Sequence, residues 1–342
     1  MVKLKDIADA CGVSVATVSR ALNGLSGMHS GKTETICRIA EEMGYYPNAA
    51  AKALKTNRSC NIGILYEDRM NHEYFSILLD ALREAAENRG YDLTFISRGA
   101  GTGNNNYYEH ARRRNLDGVI VIQADFTSAE VIRLATSNMP TVVIDHEYEG
   151  CDCVLNDNRQ SMEQIVASVY DKGHRHIAYI HGEDGTVTRN RTAGFYKGCA
   201  EHGLRVPADY VQQGRFHQPD GCETAIRTLM TLPVPPTCIL LPDDYSSLGA
   251  IQVLNTLGFN VPENISIVGY DGIMITQMMK RKLTTYRQNT GRIGTEAINL
   301  LLEAIETPEK HKPRHIFVTG SMIEGDTLNE IRPLMLQTSC YL

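Results

Sequence analysis

The 342 residues contain no run close to the ~18 apolar residues of a membrane-spanning helix. The amino terminus carries Lys3, Lys5 and Asp6 with no apolar stretch, so it does not read as a signal peptide, and a cytoplasmic protein is expected. No Cys-x-x-Cys occurs. The nine cysteines are scattered, with Cys151 and Cys153 the only close pair, which argues against a disulfide framework or metal site and predicts reduced, mostly buried thiols. No nucleophile, acid–base pair or metal set stands at catalytic spacing, and His174 and His176 lack Cys or carboxylate companions. Neither an enzyme nor a bound cofactor is expected. The stretch Gly99-Ala100-Gly101-Thr102-Gly103 lacks the dinucleotide fingerprint and reads as a surface loop.

What is present suits two or three domains of ordinary soluble composition. The net charge of −6 conceals an asymmetry. Residues 1–60 hold eight Lys/Arg against five Asp/Glu (+3), and the remainder 26 against 35 (−9). A basic head on an acidic body attracts phosphates locally while the body stays away from them.

Within that head, Leu4, Ile7, Ala8 and Cys11 recur at i, i+3, i+4, i+7 and predict a helix that Gly12 ends. Ser14 can accept from the Thr17 backbone N–H and start a second helix. There Val18 and Leu22 turn inward with Val13, while Ala16, Ser19, Arg20 and Asn23 stay outside. A helix that opens with small Val15 and Ala16 and carries Arg20 one turn on has the shape of a major-groove reader. Small apolar side chains touch thymine methyls, and Arg20 reaches guanine edges or phosphate. An ordinary helical hairpin shares the spacing but not the wording. Lys3-Leu4-Lys5-Asp6-Ile7-Ala8, Gly12-Val13-Ser14 and Thr17-Val18-Ser19-Arg20 closely resemble the DNA-binding domain of the lactose/galactose repressor (LacI/GalR) family of bacterial transcription regulators. The resemblance implies DNA contacts from Ser14, Val15, Ala16, Thr17, Ser19, Arg20 and Asn23.

A third helix is predicted through Ile36, Ile39, Ala40 and Met43, ending at Gly44. Lys32 and Met28 stand where the family usually has Thr and Val. Pro47 and the alanines that follow favour helix, yet about eight residues cannot hold a helix alone in water. Here the resemblance implies a hinge helix that orders on DNA, Leu54 wedging a minor-groove step beside contacts from Ala51, Lys52 and Lys55. Such a wedge unstacks bases at a cost of a few kcal/mol, offset by the contacts a bent duplex permits.

From Ile62 the pattern becomes short β-rich runs alternating with helices. Strands are predicted at Ile62–Tyr66, Tyr91–Ser97, Gly118–Ala124, Thr141–Asp145, His176–Ile180, Thr237–Leu241, Ile265–Gly269 and Arg314–Val318, and helices between them. Short βα repeats make right-handed crossovers and parallel sheets covered on both faces. Asp117-Gly118-Val119-Ile120, Gly173-His174-Arg175-His176-Ile177, Gly269-Tyr270-Asp271 and Leu283-Thr284-Thr285 with Gln288 are similar to the family's effector core, which has the fold of periplasmic sugar-binding proteins. The expected architecture is an all-α helix-turn-helix domain (1–46), a hinge helix (47–58) and an α/β core of two periplasmic-binding-protein-like subdomains with parallel sheets. Those subdomains are placed at 59–157 plus 288–319 and at 158–287 plus 320–342. The tail has Leu328, Ile331, Leu334 and Leu336 but also Pro333, so a tetramer-forming coiled coil is not supported.

In open α/β sheets ligands bind beyond the carboxyl ends of strands. Asp145, Asp243 and Asp271 follow predicted strands and Arg191 opens a predicted helix. Carboxylates and a guanidinium there can form fork-like bonds to vicinal hydroxyls, with Tyr74, Phe75 or Phe216 covering an apolar ring face. A sugar or sugar derivative is favoured as effector; a nucleobase or phosphorylated ligand is the alternative, because the first loop reads Asn71-His72-Glu73-Tyr74-Phe75 and Asp243 stands where some sugar-binding relatives have Asn. The expected function is a ligand-responsive repressor of a carbohydrate-related operon, binding a pseudo-palindromic operator as a homodimer, with no membrane partner. A transport sugar-binding protein would share the core but has no use for residues 1–58. An enzyme built on the Gly99 loop lacks a catalytic set.

Overall fold

The computed structural model describes residues 2–22, 30–46, 58–67, 72–96 and 106–331. Asn23, Ala51, Lys52, Leu54, Lys55 and the 99–103 loop lie outside the described residues. The chain divides into Met1–Ser59 and Cys60–Leu342. The first unit holds α1 (Leu4–Cys11), α2 (Val15–Leu22) and α3 (Ser30–Glu42). Gly12 takes a left-handed conformation (φ 60°) and ends α1, as a residue without Cβ does at no steric cost. Ser14 Oγ accepts from the Thr17 backbone N–H at 3.1 Å and starts α2. Ile7, Ala8, Val18, Ala21, Ile36 and Ala40 form the buried centre of the three helices, with Leu4, Val13, Leu22 and Met43 around it.

The second unit contains two six-stranded sheets. The first has the order β11-β5-β4-β3-β1-β2, and every pairing in it is parallel. Its strands are β1 (Asn61–Tyr66), β2 (Asp92–Ile96), β3 (Gly118–Ile122), β4 (Thr141–Ile144), β5 (Asp152–Asn156) and β11 (His315–Val318). β3, GVIVI, shows why: an all-apolar strand has two faces to bury. Ile120 and Ile122 meet α4 (Glu73–Glu87) and α12 (Thr290–Glu306) on one side. Val119 and Val121 meet α5 (Tyr107–Arg113) and α6 (Ala129–Ala135) on the other.

The second sheet runs β12-β10-β9-β8-β6-β7 and is parallel except where β12 meets β10. Its strands are β6 (Ile177–His181), β7 (Val211–Gln213), β8 (Cys238–Leu240), β9 (Ser266–Asp271), β10 (Thr285–Arg287) and β12 (Ser321–Ile323). α9 (Glu223–Met230) and α10 (Asp244–Thr256) cover one face, and the short α11 (Met274–Gln277) follows β9. α7 (Asn158–Asp171) and α8 (Thr186–Glu201) cover the other. The chain passes between the sheets after β5, after β10 and after β11. This is the helical head and double parallel-sheet core that the sequence pattern predicts.

Two details differ from the sequence reading. β5 (DCVLN), β7 (VQQ), β10 (TYR) and β12 (SMI) were not expected; each is three to five residues long and none is a continuous apolar run like β3. Arg191 does not open its helix either, because α8 begins five residues earlier at Thr186.

The first sheet depends on α12 lying close against α4. A Cβ added at Gly294 would stand 2.9 Å from the Ala81 Cβ and 3.0 Å from the Leu82 backbone nitrogen. Gly294→Ala should therefore push the helices apart and cost about 1–3 kcal/mol. An unchanged thermal midpoint would show that the pair has slack.

Candidate functional site

In the head, α2 presents an outward face. Ser14, Val15 (43% exposed), Ala16 and Arg20 are exposed, and Thr17 and Ser19 are partly so. Val18 and Ala21, on the opposite side of α2, are buried. This leaves a small apolar tip, hydroxyls and one guanidinium on a single helix, a combination that can meet base edges and phosphates together.

In the second unit a cavity of about 780 Å³ opens between the two sheets, lined from both by Tyr74, Asp145, Arg191, Phe216 and Asp271, with His72, Phe126 and His217 among its other walls. Arg191 anchors it. On the second turn of α8 and only 4% exposed, it donates from Nε to Asn158 Oδ1 at 2.8 Å and from Nη1 to the Pro242 carbonyl at 2.9 Å. Its guanidinium carbon lies 3.4 Å from the centroid of the Tyr270 ring, a cation–π contact strengthened by exclusion of water.

Two of the carboxyl groups that line the cavity stand on left-handed backbone: Asp145 (φ 64°) after β4 and Asp271 (φ 105°) at the end of β9. Non-glycine residues there carry strain of about 1–3 kcal/mol that the surrounding sheets must sustain. Asp271 accepts from Gln288 Nε2 at 2.7 Å, and the Tyr74 hydroxyl donates to Asp145 at 3.4 Å. Burial raises the Asp271 carboxyl well above the ordinary range, Arg191 opposing and the neighbouring Asp243 and Asp244 adding to the rise. Burial raises Asp145 as well, against the pull of Arg191.

Contacts between the lobes surround the cavity. The His72 and His217 rings stack at 4.1 Å and 6°. His72 also caps α4, its Nδ1 accepting from the Phe75 N–H at 3.3 Å, and its Nε2 is 3.1 Å from Gln123 Oε1. Thr186 Oγ1 bonds His146 Nδ1 at 2.9 Å. The Glu73 carboxylate accepts from the backbone N–H groups of Met274 and Ile275 in the other lobe.

This pairing of an exposed reader with a two-lobed cavity matches known proteins over nearly the whole chain. Residues 3–48 match the model of the bacterial regulatory proteins of the lacI family. Residues 166–328 match the periplasmic binding protein-like domain. The HTH-type transcriptional repressor PurR of Pasteurella multocida (strain Pm70) is 30% identical over 325 residues, covering 92% of this chain and 95% of the relative. The chain belongs to the lacI family of bacterial transcription regulators. It is a regulator and not an enzyme. A probable HTH-type transcriptional repressor ExuR of Bacillus subtilis (strain 168) is 28% identical over 94% of this chain and 97% of its own. Among solved structures, a Lac repressor dimer bound to operator and the anti-inducer ONPF superposes with a TM-score of 0.79 at 22% identity, covering 96% of this chain and 99% of that one. A transcriptional regulator CelR–cellobiose complex gives 0.68 at 22%, over 96% and 100%. Among the described residues, no helix of the regulator is long and apolar enough to cross a membrane.

Two of the residues selected from sequence lie elsewhere than the cavity wall. Phe75, 1% exposed, is a core residue stacked on Tyr66 at 3.8 Å; the i, i+3, i+4 pattern of α4 already placed it inward. Asp243, also 1% exposed, is occupied by Ser246 N at 2.8 Å, Ser246 Oγ at 3.0 Å and His217 N at 2.7 Å. It caps α10 and fixes the loop that carries Phe216. That ring lies on the Gly182 backbone, where a Cβ would come within 2.2 Å of it. Sequence reasoning missed His72, His217, Gln123 and Phe126. Their ring partners come from the opposite lobe or a neighbouring strand end, so no local spacing reveals them.

Because the folded structure raises the Asp271 carboxyl, its ionisation opposes folding. The stability is fully present below the unfolded pKa, near 4, and falls as pH rises through the folded value. Asp271→Asn, which keeps the Gln288 bond, should melt higher than the parent at neutral pH, the gain vanishing below roughly pH 4. Parallel melting curves across that range would contradict the burial argument.

Proposed function

We propose that this regulator is a repressor that binds a pseudo-palindromic operator as a homodimer, and that a sugar or sugar derivative held between the lobes sets its DNA affinity. The observation that carries this reading is the convergence of Arg191, Asp145 and Asp271 on one cavity. Carboxylate acceptors beside a planar donor fork suit vicinal hydroxyls, each of which both donates and accepts. Relatives named as repressors over nearly their full length support the repressor role.

Ser14, Val15, Ala16, Thr17, Ser19, Arg20 and Asn23 form the base-reading set, and Ala51, Lys52, Leu54 and Lys55 the hinge contacts. Domain limits of 1–46, 47–58, 59–157 plus 288–319, and 158–287 plus 320–342 follow. The mechanism is linkage: a ligand that prefers one arrangement of the lobes shifts their population, and the 47–58 hinge passes that shift to the head. Two half-sites are read together, so misaligned hinges lose affinity without any altered base contact.

Footprinting and binding assays test the reader. Arg20→Ala should cost about 1–3 kcal/mol of discrimination, or roughly 5–150-fold in preference for operator over random duplex, with the dimer intact by sedimentation. An unchanged preference removes Arg20 from the set. Arg191→Ala should abolish the melting-point rise given by the effector while leaving operator binding in place. A thermal-shift screen of sugars, sugar acids and nucleobases identifies that effector by mass action, and a response to nucleobases alone would overturn the sugar assignment.

A further inference from the structure

We infer that the cavity takes a ligand of two ring units, a disaccharide or glycoside, whose second ring lies on Phe126. The inference rests on the saccharide reading above and goes further by assigning a second subsite. A hexose has the bulk of roughly six waters at ~30 Å³ each, which is about a quarter of the 780 Å³ available.

Of the polar groups that line the cavity, three are assigned to one ring. Arg191, Asp145 and Asp271 converge at the inner part, and Phe216, backed by Gly182 and 5.8 Å from the Arg191 guanidinium, is the flat surface belonging to them. Phe126 is a separate surface on the other lobe. Its ring stacks on His146 at 4.5 Å and 3°, Tyr148 meets His146 edge-on at 4.5 Å, and the Tyr148 hydroxyl donates to the Phe126 carbonyl at 2.6 Å. Burial, with Arg189 nearby, lowers the pKa of His146 and favours a neutral ring.

Thr186, which bonds His146, begins α8, five residues before Arg191. At 1.5 Å per residue those two positions are about 7.5 Å apart along the helix. A backed aromatic ring that lines a cavity offers a flat apolar face, which the C–H face of a pyranose or an aromatic aglycone can cover. The inner groups would then read hydroxyls on the first ring while Phe126 supports the second.

Calorimetric titration of the full-length protein tests this, using glucose, galactose, galacturonate and hypoxanthine against cellobiose, maltose, lactose and digalacturonate. A two-ring sugar should bind about tenfold more tightly than its own monomer. Phe126→Ala should bring the pair to equal affinity while changing the monomer by less than about twofold. Phe126→Leu, which keeps bulk but not a flat face, should do the same and guards against a folding defect. Equal affinities in the parent, or a Phe126→Ala that weakens both ligands alike or neither, overturn the second subsite and leave the sugar reading standing. Binding of hypoxanthine alone, or of no saccharide at all, overturns both.

Discussion

The cleft depends on a positive charge held out of water. Desolvating a guanidinium costs several kcal/mol unless its donors and charge are matched. Arg191 is matched from three directions: Asn158 at the start of α7, the Pro242 carbonyl after β8, and the face of Tyr270 in β9. Tyr270 in turn is bonded by Asn156 at 2.6 Å and by Ser161 at 2.7 Å. The cation therefore fixes the ends of β8 and β9 relative to the point where the chain first passes between the lobes. Asp145 and Asp271 face its field from opposite sheets. Their carboxylates tolerate burial because that field opposes part of the desolvation.

Such a floor constrains what it can hold. It offers carboxyl oxygens beside a guanidinium, so it suits a ligand whose groups both donate and accept. Closure rests on a few small contacts, the His72–His217 stack, the Thr186–His146 bond and the Glu73 carboxylate on the Met274 and Ile275 amides. None is a large apolar seam. On the proposed linkage, a modest difference in ligand affinity between two arrangements of the lobes is then enough to move the balance.

How much of this was legible before the fold was known differs between elements. The head was almost fully readable because its signals are local: a Gly that ends α1, a Ser that caps α2, and an apolar stripe with fixed spacing. The long parallel strands were readable as apolar runs. Asp145 and Asp271 were singled out because strand ends are where ligands bind in such sheets, and with Arg191 they line the cavity. β5 was not, since Asp152 and Asn156 make it look like a turn. Both are buried through distant partners, Asp152 with His311 and the Arg314 amide, Asn156 with Tyr270. Phe75 and Asp243 show the converse: residue type suggested a ligand contact, and packing assigned one to the core and the other to a cap.

The interleaved strand order also governs how the molecule is made. β11 pairs with β5 through His315↔Cys153, so the first sheet gains its edge only after Val318 has left the ribosome. By then every parallel strand of the second sheet, β6 to β10, has already been synthesised. During translation the later-encoded lobe can assemble its parallel strands while the earlier one still lacks an edge. No single cut therefore separates one whole lobe from the other.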